Sequence, residues 1–559
     1  MTANRTRRPA PDASEPLTTA PPSPTALPAD PPAANSPAGT VHPLIHEAVA
    51  RQAEQHPGST AIVFRADRIS YATLNAAADH YAEQLAALGV GAGAIVPVQL
   101  PRTPQLAATL LAVLKCGAAY AAFDHRWPTE RVDGLLDQLH SPVFVTGNRP
   151  AGVQAEATGA GGGRPLTVWQ PPAEPLEVSA GAGGTVPPSD IGPDDAACVF
   201  FTSGTTGSPK GVVSPHQATT RLFGPDGLRG YRAGGVSPQS APCAWDAFSL
   251  ELWGMLVTGG TTVIVEDDYL LPGALRDIVK SAGVDTAFFT SSLFNLFVDM
   301  DIDCFAGMGQ IYTGGERLSP AHVRRFLAQY PGVALFNAYG PVESCVFATI
   351  HELGPEDCET FGGIPIGRPV ADTEVYVADG GRLCEPGTEG EICIGGAGLA
   401  IGYLEQPELT AEKFAPITVN GTPVRVYRTG DLGFLDADQV LHFRGRADRQ
   451  VKVRGYRIEP GEIENAAMKV EGVRSCTVVP VPGRTAAWER LALFYTATAD
   501  TAATAPAEGE SDDPIGLART LGKRLPPYLV PDTVMMVEKF PVTVNGKIDN
   551  QALLDSLPA

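Results

Sequence analysis

The run Phe201-Thr202-Ser203-Gly204-Thr205-Thr206-Gly207-Ser208-Pro209-Lys210-Gly211 gathers glycines, hydroxyls and a lysine into one short stretch. Glycines let backbone N–H groups approach an anion closely. The hydroxyls and the ammonium add donors to phosphate oxygens. This is not a Walker A loop, because no second glycine stands directly before Lys210. A small polar surface loop is the alternative, but hydroxyls, paired glycines, proline and lysine in one tight order favour a phosphate site.

The loop continues from an apolar run that begins at Ala196. Residues 143–146, 198–202, 262–265 and 287–290 read as buried strands, and 94–100 as a strand interrupted by Pro97. Within 70–88, Leu74, Ala77, Tyr81, Leu85 and Leu88 recur at helical spacing, and 105–114 reads as another helix. This alternation implies many parallel strands covered by helices. The Gly/Pro/Ala-rich stretches at about 150–190 and 500–513 read as surface loops. Residues 421–441 are turn-rich and strand-like, and the composition turns charged after Gly445. Residues 1–40, rich in Pro, Ala, Ser and Thr, read as a disordered leader.

The chain has 559 residues, too many for one core. Its net charge of −21 argues against nucleic acid as a partner. No apolar run reaches the ~18–20 residues that span a bilayer, and no secretory signal follows Arg7 and Arg8. The nine cysteines are scattered without a CxxC pair, so a cytoplasmic protein without disulfides or zinc is expected.

Further motifs follow in order. They are Leu114-Lys115-Cys116-Gly117-Ala118-Ala119-Tyr120, Asn337-Ala338-Tyr339-Gly340-Pro341-Val342-Glu343 and Gly390-Glu391-Ile392-Cys393-Ile394 with 398–404. After these come Tyr427-Arg428-Thr429-Gly430-Asp431-Leu432, the run 445–455, Leu525-Pro526-Pro527-Tyr528 and Asn545-Gly546-Lys547-Ile548-Asp549. With the phosphate loop, they resemble the ANL superfamily of acyl-adenylating enzymes, and within it a stand-alone adenylation domain of nonribosomal peptide synthetases. The resemblance covers 69–549. It implies an α/β fold: a large N-terminal domain of mixed, mostly parallel sheets covered by helices (41–447), and a small mobile α+β C-terminal domain (448–559).

The resemblance also implies ATP and Mg2+. Thr202, Ser203, Gly204, Thr205, Thr206, Gly207, Lys210, Gly315, Ala338, Tyr339, Asp431, Phe443 and Arg446 would bind ATP. Tyr339 would face the adenine, Asp431 would accept from the ribose hydroxyls, and Glu343 would hold the metal. Lys547 would bridge the substrate carboxylate and the phosphate. Taken singly, Tyr339 could be a core tyrosine, Asp431 a turn residue and Lys547 an exposed hairpin lysine. The family's usual threonine is Val342 here; Ser344 or Thr205 could supply the missing hydroxyl.

Asp246, in Trp245-Asp246-Ala247-Phe248-Ser249-Leu250, matches the residue that binds the α-ammonium in amino-acid-activating members. Its alternative is a helix N-cap. Matching the remaining pocket positions gives Ala247, Leu250, Phe288, Tyr312, Gly314, Ala338, Val346 and Phe347. Apart from Asp246 and Lys547 these carry no charge, which implies a small to medium apolar amino acid. Asp448 matches the hinge about which the C-terminal domain rotates between adenylation and transfer to a thiol; alternatively it pairs with a nearby arginine. The expected acceptor is a separate carrier protein, and some members also need a small activating partner protein. Competing readings are an acyl- or aryl-CoA ligase, an amide-forming amino-acid ligase, and a non-enzymatic ATP-binding protein.

Overall fold

The computed structural model describes residues 42–148, 154–156, 165–172, 176, 190–203, 209–359, 363–483, 488–498, 513, 515–541 and 548–557. The expected leader and most of 500–513 lie outside them. The largest sheet has eight strands, in the order Gly402–Tyr403, Lys210–Pro215, Ala196–Thr202, Ala119–Ala122, Ile95–Gln99, Val143–Thr146, Pro165–Trp169, Gln154–Glu156. Its five central strands, Ala196–Thr202 through Pro165–Trp169, are parallel. Every residue of Ala196–Thr202 is buried, as expected where both faces of a sheet are covered.

One expected strand holds despite its proline, and one stretch differs from the sequence reading. Pro97 sits in a central strand, tolerated because pairing with Val143–Thr146 begins only at Val98. The stretch at about 150–190, read as loop, contributes two strands, since Leu166, Val168 and Trp169 supply enough buried apolar surface to hold Pro165–Trp169 on the sheet.

Thr286–Thr290, Gln310–Gly314 and Ala334–Tyr339 run parallel in a five-stranded sheet completed by Thr349–Glu352 and Arg368–Pro369. A four-stranded sheet, an antiparallel five-stranded sheet and a two-stranded one complete the part before 447. Helix Tyr71–Ala87 is capped by Ser70, whose hydroxyl accepts the Thr73 N–H at 3.1 Å; its buried face includes Leu74, Ala77, Tyr81 and Leu85. Helix Asp246–Thr258 is buried on nearly all sides, and its Glu251 accepts the amides of Ser240 (2.8 Å) and Ala241 (2.7 Å). After 447 the chain builds its own sheet around strand Trp488–Ala497, with a core that includes Val453, Ile463, Leu493 and Leu529. Among the described residues no helix is long and apolar enough to cross a membrane.

Helix Ile45–Gln55 packs on His216. His216 is fully buried, accepts the Ile45 N–H through Nδ1 at 3.2 Å, and lies edge-on to His46 at 5.6 Å. Burial, and then its neighbour His46, push the His216 pKa down to about 3; burial and Lys115 push His46 to about 4. Both folded values lie below the free imidazole's, so the unfolded chain binds more protons at acid pH. Stability is therefore intact above pH ~6.5 and falls as the pH drops toward the folded values. Between pH 6.5 and 5, His216 alone should cost about 2 kcal/mol. Urea unfolding of His216→Asn, whose amide oxygen can accept the same bond, should show a correspondingly weaker pH dependence than wild type; an identical one would refute the assignment.

Candidate active site

A cavity of about 120 Å³ opens where three structures meet: the eight-stranded sheet, the parallel strands of the five-stranded sheet, and the hairpin Val451–Val453 and Tyr456–Ile458. Four strands deliver their C-terminal ends to it, where open α/β sheets carry their ligands. Ala196–Thr202 brings Thr202 and Ser203, Thr286–Thr290 brings Thr290, Gln310–Gly314 leads into Gly315, and Ala334–Tyr339 leads into Gly340 and Pro341.

On one side of the cavity stands Asp246. It opens its helix, but Trp245 occupies the cap position and makes no side-chain cap bond. The Asp246 carboxylate accepts the Val346 N–H at 2.9 Å. Burial raises its pKa, while the Val346 and Ala247 amides and the Lys452 charge pull it down. Cys345 and Val346 have φ of 51° and 65°, a region that a β-branched residue rarely enters. Ala247, Phe288, Ala338, Val346 and Phe347 form the adjoining apolar wall, with the Phe288 and Phe347 rings 5.6 Å apart. Leu250 and Tyr312 are fully buried in the cluster behind it. Tyr312 stacks on Phe347 at 6.0 Å and donates its hydroxyl to the Arg229 carbonyl at 3.0 Å. A Cβ on Gly314 would fall 1.9 Å from the Ala338 carbonyl oxygen, so only glycine fits there.

On the other side, Asp431 receives the Tyr339 hydroxyl at 2.6 Å and a hydrogen bond from Arg446. Asp431, Arg446, Thr202, Ser203, Gly315 and Ala338 line the cavity. Tyr339 lies buried beside it, and the Phe443 ring packs under Arg317 at 5.4 Å. Lys210 is buried 5.3 Å from the Tyr403 ring centre. Among the described residues the buried Thr202 hydroxyl in the wall has no hydrogen-bond partner, which fits a donor to a phosphate oxygen. Val342 also lines the cavity, but the Ser344 hydroxyl is fully buried and turned to the Pro341 carbonyl at 3.2 Å; it does not stand in for the absent threonine. Gly204, Thr205, Thr206, Gly207 and Lys547 lie outside the described residues.

Glu343 is fully buried. Its Oε1 accepts the Tyr403 hydroxyl at 2.8 Å and its Oε2 accepts from Arg457 at 2.6 Å. Burial opposes its charge, but Arg457, Lys210 and the Tyr403 bond outweigh that and hold its pKa well below the usual carboxylate range. Among the described residues no three His, Cys, Asp or Glu side chains converge on a metal position. The residues therefore fit Mg2+ only as a site of one ionised carboxylate completed by phosphate oxygens and water, the usual mode of that ion.

From the stretch 445–455 the sequence reading took Arg446 for the ATP site and Asp448 for the hinge, but it gave Lys452, Gly455, Tyr456 and Arg457 no place in the site. Here Lys452, Gly455, Tyr456 and Arg457 all line the cavity. A dense run of basic residues, Arg449, Lys452, Arg454 and Arg457, within so acidic a chain was the available signal. Gly455 donates its N–H to Glu316 at 2.7 Å, and with φ +83° a Cβ there would come 2.4 Å from the Thr290 methyl. Ser203 donates to the Arg457 carbonyl (3.0 Å) and accepts the Glu459 N–H (3.1 Å). Tyr456 lies between Trp245 (4.2 Å) and Tyr528 (4.3 Å), and Arg131 pairs with buried Glu462 at 2.9 Å. Asp448 accepts two bonds from Arg446, at 2.8 and 2.9 Å, so in this arrangement its carboxylate makes the arginine pair.

The fold and the site together have known counterparts. The family model of AMP-binding enzymes matches residues 49–404, and that of the AMP-binding enzyme C-terminal domain matches 462–547. Bacitracin synthase 1 of Bacillus licheniformis is 34% identical over 517 residues, 91% of this chain and 9% of that protein. Malpibaldin synthetase of Mortierella alpina is 35% identical over 522 residues, 92% of this chain and 9% of that protein. The chain thus spans under a tenth of the length of these two relatives. The structure of holo-PA1221, a nonribosomal peptide synthetase protein with adenylation and PCP domains bound to a vinylsulfonamide inhibitor, superposes with a TM-score of 0.80. It is 31% identical, over 93% of this chain and 85% of that one. The chain belongs to the AMP-binding enzymes of the ANL superfamily, as an adenylation domain of the nonribosomal peptide synthetase kind. It is an AMP-forming ligase that uses ATP.

The Arg457–Glu343 pair joins the hairpin to the body of the site. Removing one partner of such a pair leaves a buried charge unmatched, at about 3–5 kcal/mol. Arg457→Met should therefore loosen the docked hairpin, and trypsin should cut after Arg449 and Arg454 faster than in wild type. Unchanged cleavage would show that docking does not depend on this pair.

Proposed function

We propose that this adenylation domain activates a small to medium apolar amino acid as its aminoacyl-AMP, releasing pyrophosphate, and then transfers the acyl group to the phosphopantetheine thiol of a carrier protein. The observation that carries the substrate class is Asp246: a carboxylate lining the cavity, fixed by the Val346 amide and facing a wall of Ala247, Phe288, Ala338 and Phe347. A buried ammonium needs such a counter-ion, whereas an aryl or fatty acid would leave the carboxylate unmatched. The aromatic wall limits the side chain to about the range from alanine to leucine, and the apolar lining disfavours a charged one.

In this reading Thr202, Ser203 and Lys210 hold phosphate oxygens, Asp431 accepts from the ribose hydroxyls, and the hydrogen bond from Arg446 orients Asp431. Glu343 would hold Mg2+, which when bound neutralises charge on the phosphates. Two anions must meet for the acyl–phosphate bond to form, so cationic side chains and fixed amide donors supply most of the catalysis. Lys547 bridges carboxylate and phosphate. We place the boundary between the two domains at 447/448 and the hinge at Asp448. With the hairpin 451–458 docked on the site, we assign the described arrangement to the transfer half-reaction, in which Lys452 and Arg457 close the site and Tyr456, Trp245 and Tyr528 frame an approach for the thiol. Similarity to PA1221, which contains adenylation and PCP domains, supports a carrier as the acceptor.

Pyrophosphate exchange with a panel of amino acids and their deaminated analogues tests the reading. Asp246→Ala should lower kcat/KM for the amino acid by at least roughly a hundredfold, with ATP affinity nearly unchanged. Equal use of deaminated acids by the wild type would point to an acyl-CoA ligase instead. Lys547→Ala should abolish adenylation yet largely spare thiolation from a supplied adenylate; equal loss of both steps would overturn the role given to Lys547.

A further inference from the structure

We infer that Arg221 is a positioning residue that shapes the amino-acid site by clamping the turn from Ser344 to Phe347. The inference rests on the proposal that Asp246 receives the substrate ammonium.

Arg221 follows the short helix His216–Thr220 and is 1% exposed. Its Nε donates to the Thr373 hydroxyl at 3.1 Å and its Nη1 to the Ala218 carbonyl. Its Nη2 donates to the Ser344 carbonyl at 2.9 Å and the Phe347 carbonyl at 2.7 Å. Among the described residues no carboxylate lies within ion-pair distance of it; Asp372 acts from farther away and pairs with His42 at 3.2 Å. A buried guanidinium without a directly paired acid is costly to keep. Its hydrogen-bonding capacity is spent largely on carbonyls, and two of these bracket one turn. Gly398 makes the space, since a Cβ there would come 2.4 Å from the guanidinium carbon.

That turn carries the two strained residues. Cys345 and Val346, at φ 51° and 65°, lie between the two carbonyls that one Arg221 nitrogen holds. In this conformation the Val346 N–H reaches the Asp246 carboxylate while Val346 and Phe347 line the cavity. A β-branched residue left to itself returns to negative φ. Arg221 thereby fixes both the orientation of the ammonium-binding carboxylate and the position of the apolar wall, without touching substrate.

The test is a set of variants assayed by pyrophosphate exchange, with melting temperature recorded for each. Arg221→Met, or the charge-conserving Arg221→Lys if the first does not fold, should raise KM for the amino acid by about tenfold or more. KM for ATP should stay within about twofold, and preference for the amino acid over its deaminated analogue should shrink. Glycine adopts the φ of position 346 without strain and keeps the N–H. In a Val346→Gly background the same Arg221 substitution should therefore change amino-acid KM by no more than about twofold. Equal rises in both KM values, or an undiminished Arg221 effect in the glycine background, would overturn the clamp. Asp246→Ala in the same assay separates the two levels. If it leaves amino-acid KM unchanged, the ammonium assignment falls; if it raises KM while the Arg221 variants do not, only the clamp falls.

Discussion

A fully buried carboxylate is the constraint around which the site is organised. Glu343 has no access to water, so its charge must be matched by groups the protein brings to it. Tyr403 comes from the body of the domain and Arg457 from the other side of the cavity, on a hairpin that belongs to a separate hydrophobic core. The electrostatic need of one residue thus ties two independently packed units together at the catalytic position. Further cross-contacts among the described residues include hydrogen bonds from Gly455 and Ser203, one from the Glu459 amide to Ser203, the Trp245–Tyr456 contact and the Arg131–Glu462 pair. They shape the joint that the ion pair closes.

The parallel strands explain why so many distant residues converge. Four of them end at the same crevice, at Thr202, Thr290, Gly314 and Tyr339, and Phe288 and Ala338 near those ends add to its wall. Precision comes from the backbone there. Gly314 admits no side chain against Ala338, and the turn at Cys345 and Val346 is held in a conformation that the chain would not choose alone. Strain of this kind persists only where surrounding contacts over-determine it.

Much of this was legible in the residues themselves. The phosphate loop announced itself because hydroxyls, glycines and a lysine directly follow an apolar strand, and the structure ends that strand at Thr202 as the pattern requires. Helical spacing at Leu74, Ala77, Tyr81 and Leu85 located the buried face of Tyr71–Ala87. What escaped depends on tertiary neighbours. Strand Pro165–Trp169 hid within a loop-like composition because its three buried side chains find their partners only across the sheet. Asp246 read as an ammonium ligand with a helix cap as the alternative, and its bond from the Val346 amide, a hundred residues away, has no local signal. The roles of Lys452 and Arg457 depend on how two domains dock, which no local pattern encodes.

The contact between Trp245 and Tyr456 has an optical consequence. Of the five tryptophans, Trp127, Trp169 and Trp253 are buried in the large domain, and Trp488 begins the central strand of the C-terminal sheet, where it pairs with Val453. Trp245 alone sits in the cavity wall, with the Tyr456 ring 4.2 Å away and Lys452 and Arg457 sharing the same space. When the hairpin leaves, this indole exchanges an aromatic and cationic surrounding for water, while Trp169 and Trp253, buried away from the joint, keep theirs. The protein therefore carries an intrinsic fluorophore whose emission follows the docking of the hairpin in real time, with no label attached.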